Sequence, residues 1–540
     1  MHTPERATRL LVLGLAGLTM LTACTVSPPR HPVGSVLSAS STPQQVASSA
    51  ATPEASAPAD PTADPAAFAS DLSFTDITTR IREALGSAAP RNLTFARAVL
   101  TVPLDWAHPR NGKTVSITVV RIRATNQRDR IGSLVINPGG PGASGVEAAI
   151  ELAVSEFPAE ILQRFDIIGF DPRGVGLSSP LRCIPDTEKD AELELPADPT
   201  TSAQWQLEIN EDRRVADECY AKYGTTLTFF STTETVRDLE ALRAKLGDAK
   251  LTYLGYSYGT LLGAEYASAY PDRVRAFVLD GAVDPTLSTV EQTRAQAAGF
   301  ALAFQHYAAD CVAHACPLGK DPAGYVEALM QRAAGHPIPS GSTKDHRVVK
   351  DQAVLLAVIS ALYNESQWSR LTRALVDAAH GDGSGILALD DEYNERNPDG
   401  SYTNIEDANA AISCADTTQR PTVQQAEALA PVWRADNPLF GGAAAAGLGF
   451  CSLWKAPPDT PITIGDHGAP PILVIGTTGD PATPISGAEH LARLLGSGHL
   501  LVWNGEGHTA YPKTTCVTDY VDAYLIDLRL PPAGASCPAG

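Results

Sequence analysis

The stretch LTYLGYSYGTLLGAEYASAY, residues 251–270, decides the fold class. Its opening residues, LTYL, form a short run typical of a strand, and the run TLLGAEYASAY at 260–270 predicts a helix that Pro271 ends. Between them, Gly255-Tyr256-Ser257-Tyr258-Gly259 fits the pattern G-x-S-x-G. Glycines at these positions let a strand turn sharply into a helix and leave the serine oxygen at the tip. We therefore predict that Ser257 is an exposed nucleophile.

Other short apolar runs share the character of the one before Ser257, because each is rich in Val, Ile and Leu and ends in turn residues. They lie at 114–122, 132–140, 165–174, 274–281, 471–480 and 499–508. Runs that are apolar on both faces are typical of buried parallel strands. A helix is predicted at 231–247, where Ser231 and Glu234 have capping-box spacing and Gly247 follows the last apolar position. This alternation predicts an α/β fold with a mostly parallel sheet.

The alternation stops after about residue 285 and resumes near residue 470. Helix-like segments such as DQAVLLAVISALY (351–363) fill the interval. We predict an inserted helical cap at 286–468, flanked by two parts of one core at 71–285 and 469–540.

A serine hydroxyl needs a histidine base and an acid that orients the histidine, and in this type of fold they follow in the order serine, acid, histidine. Asp480 ends the run at 471–480, and His508 follows the next run in a glycine-flanked loop. Both positions are at the carboxyl ends of strands, where open α/β sheets place their sites. We predict a Ser257–His508–Asp480 triad. Competing acids also follow strands or neighbour His508, namely Asp280, Asp284 and Glu506.

Acyl transfer also needs hydrogen-bond donors for the oxyanion. The glycine-rich segment Asn137-Pro138-Gly139-Gly140-Pro141-Gly142 follows an early strand and can present bare backbone N–H groups. We predict that the N–H groups of Gly140 and Tyr258 bind the oxyanion. A tight turn without a ligand is the alternative for this segment.

The first 24 residues predict an export signal, with arginines ahead of an apolar run and the sequence Leu21-Thr22-Ala23-Cys24. This ending resembles a bacterial lipobox, which predicts lipid attachment at Cys24; an ordinary secretory signal is the alternative. Residues 25–70 are dominated by Ala, Ser, Pro and Thr, which predicts a disordered linker. The expected location is the cell envelope, on the outer face of the cytoplasmic membrane or released from the cell.

Eight cysteines remain once Cys24 is set aside, an even number that predicts four disulfides in an exported protein. Loop closure is least demanding between neighbours in sequence. The predicted pairs are Cys183–Cys219, Cys311–Cys316, Cys414–Cys451 and Cys516–Cys537. No paired C-x-x-C motif indicates a zinc site, and we expect no metal.

The chain carries 41 Lys and Arg against 61 Asp and Glu, a net charge of −20. This balance argues against binding nucleic acid or an anionic membrane surface through a basic face. Any membrane contact is expected to come from the lipid anchor alone.

Five blocks, in order, carry a resemblance to a known family: LVINPGGPGASG, FDPRGVGLSSP, LTYLGYSYGT, TTGDPATP and GEGHTAY. They resemble actinobacterial exported serine hydrolases of the tripeptidyl aminopeptidase type, relatives of the proline iminopeptidases with an α/β-hydrolase core. The likeness spans about residues 90–537. It implies a peptidase that releases short peptides, often tripeptides, from free N-termini without any cofactor, with Ser257, Asp480 and His508 as triad. Some members of that family also hydrolyse esters. Iminopeptidases carry HGGPG where this chain has PGGPG, so that histidine is absent.

An aminopeptidase must also bind the substrate's ammonium group through carboxylates at a fixed distance from the nucleophile. Such carboxylates usually come from the cap, where Asp416 and Glu392 are the predicted pair and Asp390 and Asp391 are further candidates. Solvated surface residues are the alternative for all four. The expected partners are peptides or proteins with a free N-terminus. The alternatives are a carboxylesterase or lipase with the same triad, an endopeptidase, and a tethered binding protein without turnover.

Overall fold

A ten-stranded sheet forms the centre of the described structure. The computed structural model describes residues 64–342 and 345–539. In chain order the strands are β1 (Thr75–Asp76), β2 (Leu93–Pro103), β3 (Thr114–Ala124), β4 (Gly132–Asn137), β5 (Phe165–Phe170), β6 (Leu251–Tyr256), β7 (Val274–Asp280), β8 (Ile338–Pro339), β9 (Val348–Val349), β10 (Ile472–Gly479), β11 (Gly498–Glu506) and β12 (Ser536–Cys537). The sheet order is β1-β2-β3-β5-β4-β6-β7-β10-β11-β12, and β8 and β9 form a separate pair.

The strands from β5 across to β12 run parallel, while β1, β2 and β3 add an antiparallel edge. Every residue of β4, β5 and β6 is buried. Helices cover both faces of the sheet, which is why these strands are apolar throughout. The predicted α/β class with a mostly parallel sheet is confirmed.

Eighteen α-helices are present in the described residues, labelled α1 to α18 in chain order. They are Thr78–Leu85, Gly145–Glu151, Ala159–Arg164, Asp186–Lys189, Ser202–Tyr223, Thr232–Leu246, Tyr258–Ala269, Thr289–Ala313, Pro322–Gly335, Asp351–Leu362, Trp368–Ala379, Ser384–Tyr393, Ile405–Asp416, Val423–Asp436, Gly441–Gly447, Phe450–Leu453, Ile485–Leu494 and Thr515–Asp527. Between β7 and β10 the chain is mainly helical and builds an apolar core of its own around residues such as Phe304, Leu371 and Leu389.

A second segment, which the sequence assigned to the core, packs against these cap helices. Trp205 on α5 shares an apolar cluster with Trp433 on α14. The Lys189 ammonium lies 2.9 Å from the Asp407 carboxylate. The segment between β5 and α6 therefore contacts both parts of the structure, since Cys183, Cys219 and Phe230 pack in the apolar cluster on the sheet.

The predicted helix at 231–247 is α6, with Gly247 in the left-handed conformation after it. Ser231 accepts a hydrogen bond from the Glu234 N–H, but the reciprocal half of the capping box is missing. The Glu234 carboxylate instead accepts the Trp106 N–H at 2.9 Å and pairs with Arg173. Contacts with Trp106 and Arg173, which lie outside the helix, therefore replace the capping hydrogen bond that Glu234 was predicted to make.

All four predicted disulfide pairs are present: Cys183–Cys219, Cys311–Cys316, Cys414–Cys451 and Cys516–Cys537. The predicted signal segment, most of the linker and Cys24 lie outside the described residues. The final residues of the predicted linker are structured, since Ser70 and Thr101 exchange hydrogen bonds at 2.9 Å. Within the described ranges, no helix combines the length and apolarity needed to cross a membrane.

Candidate active site

Ser257 stands at the tip of the turn between β6 and α7, with a positive φ of 54°. Its own N–H donates to the Asp280 carbonyl at 2.9 Å, which holds the turn against β7. The two glycines of the motif are required by close packing. A Cβ at Gly255 would lie 2.4 Å from the Gly259 carbonyl oxygen, and one at Gly259 would lie 2.7 Å from the Asn137 carbonyl oxygen.

Asp480 and His508 meet at the carboxyl ends of β10 and β11. His508 Nδ1 lies 2.9 Å from both Asp480 carboxylate oxygens. Thr483, which the sequence analysis did not single out, donates its hydroxyl to Asp480 at 3.0 Å and its N–H at 2.9 Å. The carboxylate also accepts the N–H groups of Ala482 and Thr509. These donors fix the acid in one orientation.

The electrostatics favour an ionised acid beside the histidine. Burial opposes the charge on Asp480, but the nearby His508 and the hydrogen bonds from Thr483 outweigh it and hold the pKa of Asp480 below its usual value. His508 Nε2 is buried and makes no hydrogen bond within the described part of the chain. With Nδ1 directed at Asp480, Nε2 is the nitrogen left to accept a proton.

The competing acids are engaged elsewhere. The Asp280 carboxylate accepts the N–H groups of Ala510 and Tyr511 and is fully buried, and burial raises its pKa to about 6. Asp284 lies 2.6 Å from His490, and Glu506 pairs with His306. Asp280 therefore anchors the loop that carries His508, and Asp480 is the acid in contact with that histidine.

Gly281, which follows Asp280 directly, packs closely against His508, Thr483 and Thr509. A Cβ at Gly281 would lie 3.0 Å from His508 Cε1. The Tyr363 ring meets the His508 ring edge-on, with centroids 5.5 Å apart, and the Tyr363 carbonyl accepts the His508 N–H at 2.9 Å. The cap thus contributes directly to the placement of His508.

The glycine-rich loop after β4 packs against the serine turn. A Cβ at Gly139 would lie 2.5 Å from the Tyr256 carbonyl oxygen and 2.9 Å from Ser257 Cβ, and Gly139 has a φ of +98°. Gly140 lines the same cavity as Ser257 and Tyr258. Tyr258 is the first residue of α7, so its N–H has no partner within the helix. The structure brings both predicted oxyanion residues beside Ser257.

A cavity of about 590 Å³ opens onto Ser257, between the sheet and the cap. Two acidic residues, Asp416 and Glu265, line this cavity together with the serine. Asp416 accepts the Thr232 N–H at 2.7 Å. Burial, with a contribution from Asp459, raises the pKa of Asp416 to about 7.

Glu265 is 4% exposed, and its Oε2 has no hydrogen-bond partner among the described residues. Burial, and then the charges of Asp416 and Asp459, raise the pKa of Glu265 well above its usual value. The cavity therefore contains two buried carboxyl groups, and no Lys, Arg or His is among the described residues that line it. Burial and their proximity favour the neutral forms until a cation binds beside them.

A protein-family model described as the alpha/beta hydrolase fold matches residues 132–513. The chain belongs to the alpha/beta hydrolase family.

Three relatives indicate which members of this family the chain resembles. This hydrolase is 41% identical over 458 residues to the serine protease Hip1 of Mycobacterium tuberculosis, covering 81% of this chain and 86% of Hip1. It is 37% identical to carboxylesterase B of the same species, over 82% of this chain and 86% of the relative. It is 30% identical to a tripeptidyl aminopeptidase of Streptomyces lividans, over 81% and 82% of the two chains. The resemblance to actinobacterial serine hydrolases is confirmed.

One predicted binding residue of the hydrolase does not reach the cavity. Glu392, on α12, accepts a hydrogen bond from Arg370 at 2.6 Å and does not line the cavity. Its neighbour Asp391 is held by Arg347, and Asp390 is buried. Of the two residues predicted to bind the ammonium group, Asp416 lines the cavity and Glu392 does not. Sequence reasoning missed Glu265 because it lies inside an apolar helix; its placement eight residues after Ser257 is the signal that could have found it.

Proposed function

We propose that this hydrolase is a serine peptidase that releases short peptides, tripeptides among them, from substrates with a free N-terminus. One observation carries the proposal: Ser257 and the carboxylates of Asp416 and Glu265 line one cavity. A serine hydrolase that acts on blocked or neutral substrates has no need to bury two carboxyl groups beside its nucleophile, because their desolvation is unfavourable. A bound substrate ammonium would favour the ionised forms of these carboxyl groups and donate hydrogen bonds to them.

The proposed reaction begins when His508 Nε2 accepts the Ser257 hydroxyl proton and Ser257 Oγ attacks the scissile carbonyl carbon. The N–H groups of Gly140 and Tyr258 bind the oxygen as it becomes negative. His508 then gives its proton to the leaving amine, and the C–N bond breaks. A water molecule, deprotonated by His508, hydrolyses the acyl-enzyme and frees the peptide and Ser257. Asp480 stabilises the protonated imidazole in both halves.

The names of the relatives support the peptidase class, since one is called a serine protease and another a tripeptidyl aminopeptidase. A second relative is called carboxylesterase B, which keeps a carboxylesterase as the alternative function. The cavity lining favours that alternative in one respect, because Leu261, Val283 and Leu287 provide an apolar wall that suits an ester's alkyl chain.

The test is turnover of a tripeptide chromogenic amide with either a free or an acetylated N-terminus, using the chain with its disulfides intact and Ser257→Ala as control. We expect serine-dependent cleavage that strongly prefers the free amine. Equal cleavage of both would indicate an endopeptidase or a broad esterase. Hydrolysis of simple esters without cleavage of either amide would establish the carboxylesterase, and failure to modify Ser257 with a fluorophosphonate would indicate a binding protein.

We further propose that the protein is exported and lipid-anchored through Cys24. The support is the sequence alone: an apolar run followed by Leu21-Thr22-Ala23-Cys24. Metabolic labelling with a radioactive fatty acid tests this proposal. We expect label in the wild type and none in Cys24→Ala; label retained by the variant would refute lipidation at this residue.

A further inference from the structure

Three side chains form a continuous hydrogen-bonded link from the serine turn to the acidic cavity wall. The Tyr258 hydroxyl bonds to Thr232 Oγ1. Thr232 Oγ1 in turn donates to Asp416 Oδ2 at 2.5 Å, and the Thr232 N–H donates to Asp416 Oδ1 at 2.7 Å. Thr232 itself is 1% exposed and does not line the cavity. The link joins α7 of the core, the start of α6, and the last residue of α13 in the cap.

The hydroxyl of Thr232 is not needed to cap its own helix. That role belongs to Ser231, whose Oγ accepts the Glu234 N–H at 3.1 Å. A threonine hydroxyl has one proton to donate, and beside an ionised carboxylate that proton points to Asp416, so Thr232 accepts from Tyr258. The position of the Asp416 carboxylate is therefore tied to the residue whose N–H faces the reacting carbonyl.

The link also limits how far the carboxylate lies from the serine turn. From the Tyr258 backbone to Asp416, the path is one tyrosine side chain and two hydrogen bonds, about 12 Å at most. Three extended residues span at most about 10–11 Å. A peptide whose ammonium reaches Asp416 while its carbonyl occupies the oxyanion site therefore has a restricted length.

We propose that Thr232 is a specificity-determining positioning residue, which holds the ammonium-binding carboxylate at a set distance from the oxyanion turn and so selects the length of the released peptide. This inference rests on the proposed aminopeptidase function. Without the hydroxyl, Asp416 keeps the backbone N–H of Thr232 but loses its link to Tyr258. The carboxylate can then shift relative to the nucleophile.

The experiment compares the full chain with Thr232→Val, Thr232→Ser and Tyr258→Phe. Substrates are free-amine di-, tri- and tetrapeptide p-nitroanilides and an acetylated tripeptide p-nitroanilide. Thr235→Val is the matched control, because Thr235 is 3% exposed on the same helix and, in the described part of the chain, its hydroxyl donates only to the backbone carbonyl of Ser231 at the start of that helix. Fluorophosphonate labelling of Ser257 confirms that each variant is folded.

We expect Thr232→Val to raise KM for the preferred free-amine substrate about tenfold, the size expected for one hydrogen bond to a charged group. The preference among peptide lengths should weaken by a similar factor. Thr232→Ser should restore both, Tyr258→Phe should produce part of the effect, and Thr235→Val should behave as the wild type.

Two results would overturn the inference in distinguishable ways. If the wild type cleaves free and acetylated tripeptides equally, the proposed function fails and the inference fails with it. If the wild type prefers free amines but Thr232→Val keeps the same KM and the same preference among peptide lengths, only the role of Thr232 is refuted. The same conclusion follows if Thr232→Val loses kcat equally on all substrates and Thr232→Ser does not restore it. If Thr232→Val does not fold, Tyr258→Phe and Thr232→Ser test the role of Thr232 instead. An unchanged preference among peptide lengths in Tyr258→Phe would refute the role of the hydrogen-bonded link from Tyr258 to Asp416.

Discussion

Replacing Asp480 with asparagine tests the site most directly, because it changes the acid while keeping its shape. Asp480 accepts hydrogen bonds from His508, Thr483, Ala482 and Thr509. An asparagine retains one acceptor oxygen but presents an amide nitrogen in place of the other. It therefore favours the histidine tautomer with the proton on Nε2, which cannot accept the proton of Ser257.

The expected loss in kcat is roughly 10⁴-fold, as for the loss of the acid in other serine triads, which corresponds to about 5 kcal/mol of barrier height. Asp280 provides the matched control. It is also a buried aspartate, but its carboxylate accepts only backbone N–H groups, those of Ala510 and Tyr511, among the hydrogen bonds in the described residues. We expect Asp280→Asn to lower the melting temperature and to reduce kcat far less than Asp480→Asn does.

The assay is hydrolysis of p-nitrophenyl acetate, which carries no ammonium group and so reports on the triad without the acidic cavity wall. Thermal unfolding and circular dichroism verify that both variants are folded. A kcat for Asp480→Asn within tenfold of wild type, combined with loss of activity in a folded Asp280→Asn, would refute the assignment of the acid and make Asp280 the triad member.

Three further predictions follow from the same geometry. Gly139→Ala should lower kcat by about 10²–10³-fold in a folded protein, as for a lost oxyanion donor, because its Cβ would lie 2.5 Å from the Tyr256 carbonyl oxygen. Steady-state kinetics and a melting curve test this prediction, and an unchanged kcat would contradict it. For Asp416, whose pKa burial raises to about 7, KM for free-amine peptides should rise as pH falls from 8 to 6, since only the ionised carboxylate attracts an ammonium group. Asp416→Asn should raise KM at pH 8 and lose this dependence, whereas an acetylated substrate should show the same pH profile in both proteins; identical profiles on the free-amine substrate would refute the anchor. Removing the Cys414–Cys451 disulfide, which closes a separation of 37 residues, should lower the free energy of unfolding by about 4 kcal/mol according to the loop-entropy model. It should also raise KM more than it lowers kcat, because Cys414 lies two residues before Asp416. Chemical denaturation and steady-state kinetics measure the two effects, and reduced stability with an unchanged KM would show that the disulfide does not position Asp416.

The Ser257 turn and the His508 loop show how much a local pattern can predict. The turn depends on two glycines within five residues, and Asp480 and His508 follow the ends of β10 and β11 by one and two residues. Parallel strands align their carboxyl ends at one edge of a sheet, so chain order and strand ends were enough to bring Asp480 and His508 together. The four disulfides were predictable for a related reason, since partners close in sequence close small loops.

The acidic cavity wall shows where sequence reasoning stops. Glu392 and Asp416 looked alike in sequence, yet Arg370 neutralises one while the other lines the cavity. Glu265 lies on the helix that follows Ser257, and the apolar character of that helix gave no sign of an acidic residue facing the cavity. The apolar cluster that contains both Trp205 and Trp433 was also not foreseen, because residues more than two hundred positions apart leave no periodic pattern in the sequence.

The sequence by itself determined the α/β class, the Ser257 turn, the positions of Asp480 and His508 at strand ends and the pairing of cysteines, because each depends on residues near one another in the chain or on the ends of strands. Only the tertiary structure decided which carboxylates face Ser257, how the cap is assembled, and that Thr232 joins Tyr258 to Asp416. These features depend on side chains that meet across long separations, where burial and the presence or absence of a neighbouring cation determine what a carboxylate does.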